Sequence, residues 1–291
     1  MIRDQIRIWG TVFAALLGLA FGSFLNVCLS RWPEGESIVH PRSHCRKCGR
    51  ILAWWENIPL VSWIALRGRC RGCGAWIGWR YVVVEAAVGG TWAVLAWHSI
   101  SEVPLLAGTA IRELGAGAAF AVFFWLLIAL AVLDAENLWL PDLLTLPGTL
   151  LGLVVSLYFW SRGNSFFRYP LSWRVVLYRI GGILAAAALI LMIRWIYWLI
   201  RRREGLGLGD AKLMALLAAW LGLRGALVAF SIGVVLGAMV GILLIARPND
   251  ETSERAGLKK LPLGTFLCIG GIITGLWGQQ IISAYMRWAG F

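Results

Sequence analysis

The stretch LLIALAVLDAENLWLPDLLTLPG (126–148) passes from one apolar run into the next through a short polar link carrying Asp134, Glu136 and Asp142. A run of roughly twenty apolar residues is the length of a bilayer-crossing helix, so this link predicts two membrane helices that leave and re-enter at one face. The rest of the chain repeats the pattern. Its 291 residues are 59% hydrophobic and 14% charged, with mean hydropathy +0.74. That composition predicts an all-α polytopic membrane protein and needs no soluble core to explain it. About eight spans are expected, near 8–29, 82–98, 116–134, 143–160, 175–200, 211–223, 225–246 and 263–286. The first apolar run is too long and too weakly punctuated for a cleaved signal peptide, so it is kept as a span.

A net charge of +12 would suggest nucleic acid in a soluble protein, but in a membrane protein the placement of Lys and Arg matters more than their sum. Seventeen basic residues fall in the loops 30–81, 135–142, 201–210 and 247–262 together with Lys212, against eight on the opposite side. Arg179 and Arg194 lie inside the fifth span, near enough to its ends to snorkel. The richer side is expected to be cytoplasmic, with both termini outside and no nucleic-acid partner.

The organisation expected is a first transmembrane helix (1–29), a cytoplasmic domain (30–81) and a seven-helix membrane core (82–291). The cytoplasmic domain holds four of the six cysteines, as Cys45-x2-Cys48 and Cys70-x2-Cys73 with 21 residues between the pairs. Gly49 and Gly74 follow the second cysteine of each pair, which suits a tight turn aiming two sulfurs at one ion. Disulfides are disfavoured on a reducing face. A closed set of four thiolates predicts one structural zinc, stapling a loop too small to build its own core. His44 reads as a solvent-facing histidine, and Cys28 and Cys268, in apolar runs, as packing residues.

Acids at a membrane edge need a reason. Asp134 closes the third span and Asp210 opens the sixth, in GLGLGDAKL (205–213), at the same face by the expected topology. If they meet, burial and repulsion let them share a proton, one acting as general base on water and the other as general acid, as in an aspartic protease. Gly205, Gly207 and Gly209 let the backbone unwind, approach another helix or accept an extended peptide. A nucleotide-binding loop fails on spacing and context. The alternative from another class is a non-enzymatic membrane scaffold or ion-coupled transporter, because intramembrane acids also mark ion pathways and structural pairs.

Several motifs occur in order along the chain: GSFLNVCLSRWP (22–33), the two cysteine pairs, ENIPLVSW (56–63), RGRCRGCG (67–74), RYVVVE (80–85), LDAENLWLPD (133–142), GLGDAKL (207–213) and LPLGTFL (261–267). Together they resemble the bacterial type IV prepilin leader peptidases, membrane aspartic proteases of the GxGD type. The resemblance implies two essential aspartates, at the positions of Asp134 and Asp210. Asp142 is read as a supporting residue or helix N-cap, with Gly207, Gly209 and Lys212 also in support. The implied substrates are prepilins and pseudopilins of type IV pili or type II secretion, each with a basic leader, a glycine before the cut and an apolar helix. Glu136 and Glu204 are candidate contacts for the leader.

The resemblance further implies N-methylation of the new amino terminus from S-adenosylmethionine, associated with the cysteine domain and the ENIP segment. Glu85 either belongs to that function or is a polar residue at a helix start. The implied location is the bacterial cytoplasmic (inner) membrane, with the active site and zinc domain on the cytoplasmic side. Two departures stand out: PLGTF where members read a P-F-G-P-like run, and the long aromatic segment SRGNSFFRYPLSWR (161–174). Neither is expected to touch the proposed acids.

Overall fold

The computed structural model describes residues 2–102, 107–161, 173–203, 207–246 and 261–290. Glu204, Gly205, residues 162–172 of the aromatic segment and residues 247–260 lie outside the described residues. The described chain is helical. The helices are α1 (Ile2–Arg31), α2 (Val61–Ala65), α3 (Arg80–Glu102), α4 (Ala107–Asn137), α5 (Asp142–Ser161), α6 (Trp173–Arg201), α7 (Leu208–Ile245) and α8 (Leu263–Trp288). Six of them, α1 and α4 to α8, are long and apolar enough to cross a membrane. The other two expected spans have separate explanations: α3 has 23 residues but is not among the six, and α7 contains two arms.

At 38 residues α7 would extend roughly 57 Å if straight, far more than a hydrocarbon core of about 30 Å. It is broken at Gly222, whose φ of 73° and ψ of 170° are non-helical and open to a residue without a Cβ. Contacts on either side show that the chain reverses there. Along the first arm Gly209 packs on Leu140, and the Trp220 indole donates to the Gly148 carbonyl at 2.9 Å, one near the start of α5 and the other a turn or two in. Along the second arm Gly225 faces Thr274, Gly233 faces Leu267 and Gly241 faces Leu261, so this arm runs antiparallel to α8 and returns to the face it left. The sixth and seventh spans of the sequence are therefore the two arms of one helical hairpin.

The chain divides into two compact units, Met1–Ala129 and Leu130–Phe291. In the first, α1 and α3 approach so closely that a methyl built on Gly18 would lie 2.9 Å from the Gly89 Cα, and one on Gly22 2.8 Å from the Glu85 Cα. Small residues permit this contact, the usual device where lipid-like surroundings remove the hydrophobic drive between helices. Trp92 donates its indole N–H to the Ala121 carbonyl at 3.0 Å and Trp125 to that of Phe21 at 3.2 Å, tying the first part of α4 to the pair. The second unit comprises the end of α4 with α5 to α8. Its core is Leu213, Met214, Leu216 and Leu217 of the first α7 arm with Leu267 of α8, all fully buried.

Candidate active site and metal centre

Four helix termini meet around the acids of the second unit. Asp134 lies in the last turn of α4 and Asp210 in the first turn of α7, and their exposures of 6% and 8% set them apart from the other described acids of this unit. Asp134 Oδ2 accepts from the Thr265 backbone N–H at 2.7 Å and from the Thr265 hydroxyl at 3.2 Å, with the Gly264 N–H also directed at the carboxylate. The same hydroxyl lies 2.9 Å from the Ala131 carbonyl, which anchors the N-terminus of α8 to α4. Asp210 Oδ2 accepts from the N–H of Gly207, the extended residue that caps α7, at 3.2 Å. Asp134 and Asp210 are near enough for their charges to repel.

Leu140 sits between the flanking glycines. A methyl built on Gly209 would lie 3.0 Å from the Leu140 side chain, and one on Gly264 would lie 3.1 Å from it and 2.9 Å from Asp134 Oδ2. Gly207 thus makes the turn into α7, while Gly209 lies inside the helix and allows a close approach. The expectation that PLGTF would not touch the acids is overturned, because Gly264 and Thr265 are the immediate neighbours of Asp134. The segment was visible in the sequence as a motif, but no spacing rule links position 265 to position 134.

Asp142 is the first residue of α5, where the helix dipole favours an acid, and its carboxylate pairs with Lys212. Those two side chains are 59% and 38% exposed, unlike the buried acids. Glu136 is exposed on the last turn of α4.

In the first unit the four cysteine sulfurs lie within 4.8 Å of one another, the only such group of possible metal ligands among the described residues. Four sulfurs around one zinc at about 2.3 Å stand about 3.8 Å apart, and Cys45 and Cys73 are separated by 3.8 Å. Each pair forms a tight turn: Gly49 donates its N–H to the Cys45 carbonyl at 2.8 Å and Gly74 donates to Cys70 at 2.9 Å. Both glycines have left-handed φ, 72° and 67°. Antiparallel bridges His44–Ile51 and Arg69–Trp76 close the two turns.

N–H groups of Cys73 and Gly72 draw the Cys70 thiol down to about 6, and those of Cys48 and Lys47 lower Cys45. Cys73 receives the Ala75 N–H, yet burial and the three neighbouring sulfurs push it up to about 11. Four sulfurs so crowded cannot all ionise without a cation, and the donor set and spacing fit zinc. His44 stands outside this set, with Nδ1 3.0 Å from the Arg42 carbonyl. Cys28 and Cys268 are fully buried.

Between this cysteine cluster and the ends of α1 and α3 lies a cavity of about 580 Å³. Its lining includes Asn26, Glu56, Leu60, Trp63, Tyr81 and Glu85. Glu56 pairs with Arg50 at 2.5 Å and receives the Ala53 N–H at 2.8 Å, which hold its carboxyl below the usual range. Trp63 packs on Trp79 with ring centroids 4.4 Å apart and donates to the Ile77 carbonyl at 3.1 Å, supplying the small core that steadies this wall.

Two family models match the chain: "Bacterial Peptidase A24 N-terminal domain" over residues 16–99 and "Type IV leader peptidase family" over residues 121–242. Among curated relatives, the prepilin leader peptidase/N-methyltransferase of Pseudomonas aeruginosa is 32% identical, covering 95% of this chain and 93% of its own length. The protein of the same name from Myxococcus xanthus is 38% identical over 84% of this chain and 67% of its own length. That from Burkholderia pseudomallei is 36% identical over 91% and 85%. No solved structure matches the chain.

Proposed function

Because the chain belongs to the type IV leader peptidase family, we propose that it cleaves the basic leader from prepilins and pseudopilins and N-methylates the new amino terminus. The observation that carries the proteolytic half is the buried pair Asp134 and Asp210 at the ends of α4 and α7, held by the backbone N–H groups of Thr265 and Gly207. Asp134, with donors from both the backbone and hydroxyl of Thr265, serves as the carboxylate that takes a proton from water. Asp210 carries the shared proton to the departing amine. Water attack on the scissile carbonyl needs no covalent enzyme intermediate, and the pair returns to its starting state when the proton is redistributed.

Placement at helix ends suits the substrate. A peptide bond just outside the bilayer reaches a site at the membrane edge while its apolar helix stays in lipid, and Gly207 leaves room for an extended leader. We assign this edge to the cytoplasmic side of the bacterial inner membrane, because the loops on that side carry the excess of Lys and Arg. Pilus and type II secretion machinery are the partners that such products would join.

The four cysteines would hold a structural zinc with no open position, so its role is to fix the loops that line the cavity. S-adenosylmethionine would supply the methyl group. A cavity of this volume, bordered by aromatic rings and buried acids, fits a cationic ligand of that size.

The test is a cleavage assay with a leader-bearing prepilin. Asp134→Asn and Asp210→Asn should each abolish cleavage while the protein remains folded and bound to zinc. Cleavage by both variants would sink the acid pair.

A further inference from the structure

The motifs of the first half that proteolysis leaves unused converge on one cavity. GSFLNV contributes Ser23, Asn26 and Val27; ENIPLVSW contributes Glu56, Asn57, Ile58, Leu60, Ser62 and Trp63. RYVVVE contributes Tyr81 and Glu85. Segments sixty residues apart in sequence face the same space, and the glycine of the first motif is explained by it. Gly22 lets α1 lie against the Glu85 backbone, which brings Ser23 and Asn26 to the wall beside Glu85.

Asn26 and Glu85 both lie on that wall, where the Asn26 and Ser23 side chains hydrogen-bond the Glu85 carboxylate. Glu85 is 7% exposed, and its Oε2 accepts from the Leu60 N–H at 2.8 Å. Leu60 is held with φ 59° and ψ −48°, a positive-φ conformation costly for leucine, so this wall stores strain where it grips the carboxylate. Asn26 is 2% exposed and donates its amide to the Tyr81 carbonyl at 3.0 Å. A carbonyl can only accept, so that bond fixes which end of the amide faces Tyr81 and leaves Asn26 Oδ1 without a partner. A buried oxygen left unmatched costs free energy unless a ligand supplies the missing hydrogen.

We propose that this cavity is the methyl-transfer site, with Glu85 and Asn26 forming a pair of acceptors that holds a primary ammonium in it. The inference rests on the reading of the chain as an N-methyltransferase. An ammonium has three N–H donors and one charge, which a carboxylate beside an amide oxygen satisfies and a neutral or anionic group does not. Two sources share this chemistry: the amino terminus freed by leader cleavage, and the methionyl amine of the methyl donor. Where the peptide amine is the one held, it gives one proton to Glu85, and its lone pair forms the N–C bond. The donor's C–S bond breaks with its electrons going to sulfur.

The experiment uses the full-length protein in detergent with a leader-bearing prepilin and methyl-labelled S-adenosylmethionine. Glu85→Gln is expected to cleave within about twofold of wild type and to transfer methyl about 100-fold more slowly, the loss typical of a removed general base. Equilibrium dialysis of the labelled donor then separates the sources. Retained binding identifies the peptide amine, and lost binding identifies the donor's own amine. Methyl transfer at the wild-type rate in Glu85→Gln overturns the placement. Ultraviolet crosslinking of the donor to the unmutated protein decides the case in which the variant loses cleavage as well. Label on Trp63, Trp76 or Tyr81 supports the placement, and label confined to residues beyond 130 overturns it. Failure of the wild type to methylate any cleaved peptide would instead remove the methyltransferase reading, and this placement with it.

Discussion

In the second unit the candidate acids stand on the ends of long helices and are held by backbone N–H groups of residues a few positions from a helix start. In the first unit the candidate site is walled by loops with little regular structure, which four cysteines and three tryptophans hold in place. Helix termini come with unspent donors and fix a carboxylate cheaply. A fifty-residue loop buries too little apolar surface to do so, a lack that a metal bound by the four cysteines would make good. The contrast implies that the two activities fail under different perturbations.

The largest effect should come from the acids. Asp134→Asn or Asp210→Asn should lower prepilin cleavage by about 10³-fold or more, read by gel shift, with methyl transfer to an already cleaved peptide retained. Next is Gly264→Ala, whose methyl would fall 2.9 Å from Asp134 Oδ2 and displace it. A misplacement near 1 Å costs on the order of 100-fold in rate, so cleavage should drop by about that factor without loss of zinc. Cys70→Ser should strip the metal, measured as a fall from about one zinc per chain. It should reduce methyl transfer at least tenfold while cleavage persists; equal loss of both would erase the contrast between the units.

Thr265→Val keeps the backbone donor and removes the hydroxyl, a loss of about 1 kcal/mol or roughly fivefold in cleavage. The smallest effect belongs to Asp142→Asn. Its exposed pair with Lys212 is worth about 0–1 kcal/mol, so cleavage should change by a few-fold at most. An inactive Asp142→Asn beside an active Asp134→Asn would reverse the assignment of the first aspartate.

Acid should act on the first unit through Glu56. Its folded carboxyl is held below its usual range by Arg50 and the Ala53 N–H. The stability it contributes is therefore complete above the unfolded value near 4.5 and is lost as pH falls through the lower folded value. Tryptophan fluorescence of the cysteine domain should report this loss below about pH 4.5, and Glu56→Gln should be already destabilised at neutral pH.

Much of this was legible in the sequence for a plain physical reason. Membrane helices announce themselves by apolar length, and two close-spaced cysteine pairs are apt to share one ion, so the clustering of Cys45, Cys48, Cys70 and Cys73 could be expected from spacing alone. The reversal inside α7 was readable as two short spans, because the LGLRG segment interrupts the apolar run. Asp134 and Asp210 could be nominated as costly acids at an edge, but not shown to be neighbours.

Three things only the tertiary structure decided. Thr265 and Gly264 pack on Asp134 from 131 and 130 positions away; Leu140 wedges between two glycines; Glu85 and Asn26 share a wall with a strained leucine. Hydrophobic periodicity fixes which residues enter the bilayer, since that depends on transfer free energy summed along the chain. Which side chains then meet depends on how helices pack, and here that is set by contacts as local as the absence of one Cβ at Gly22 or Gly264.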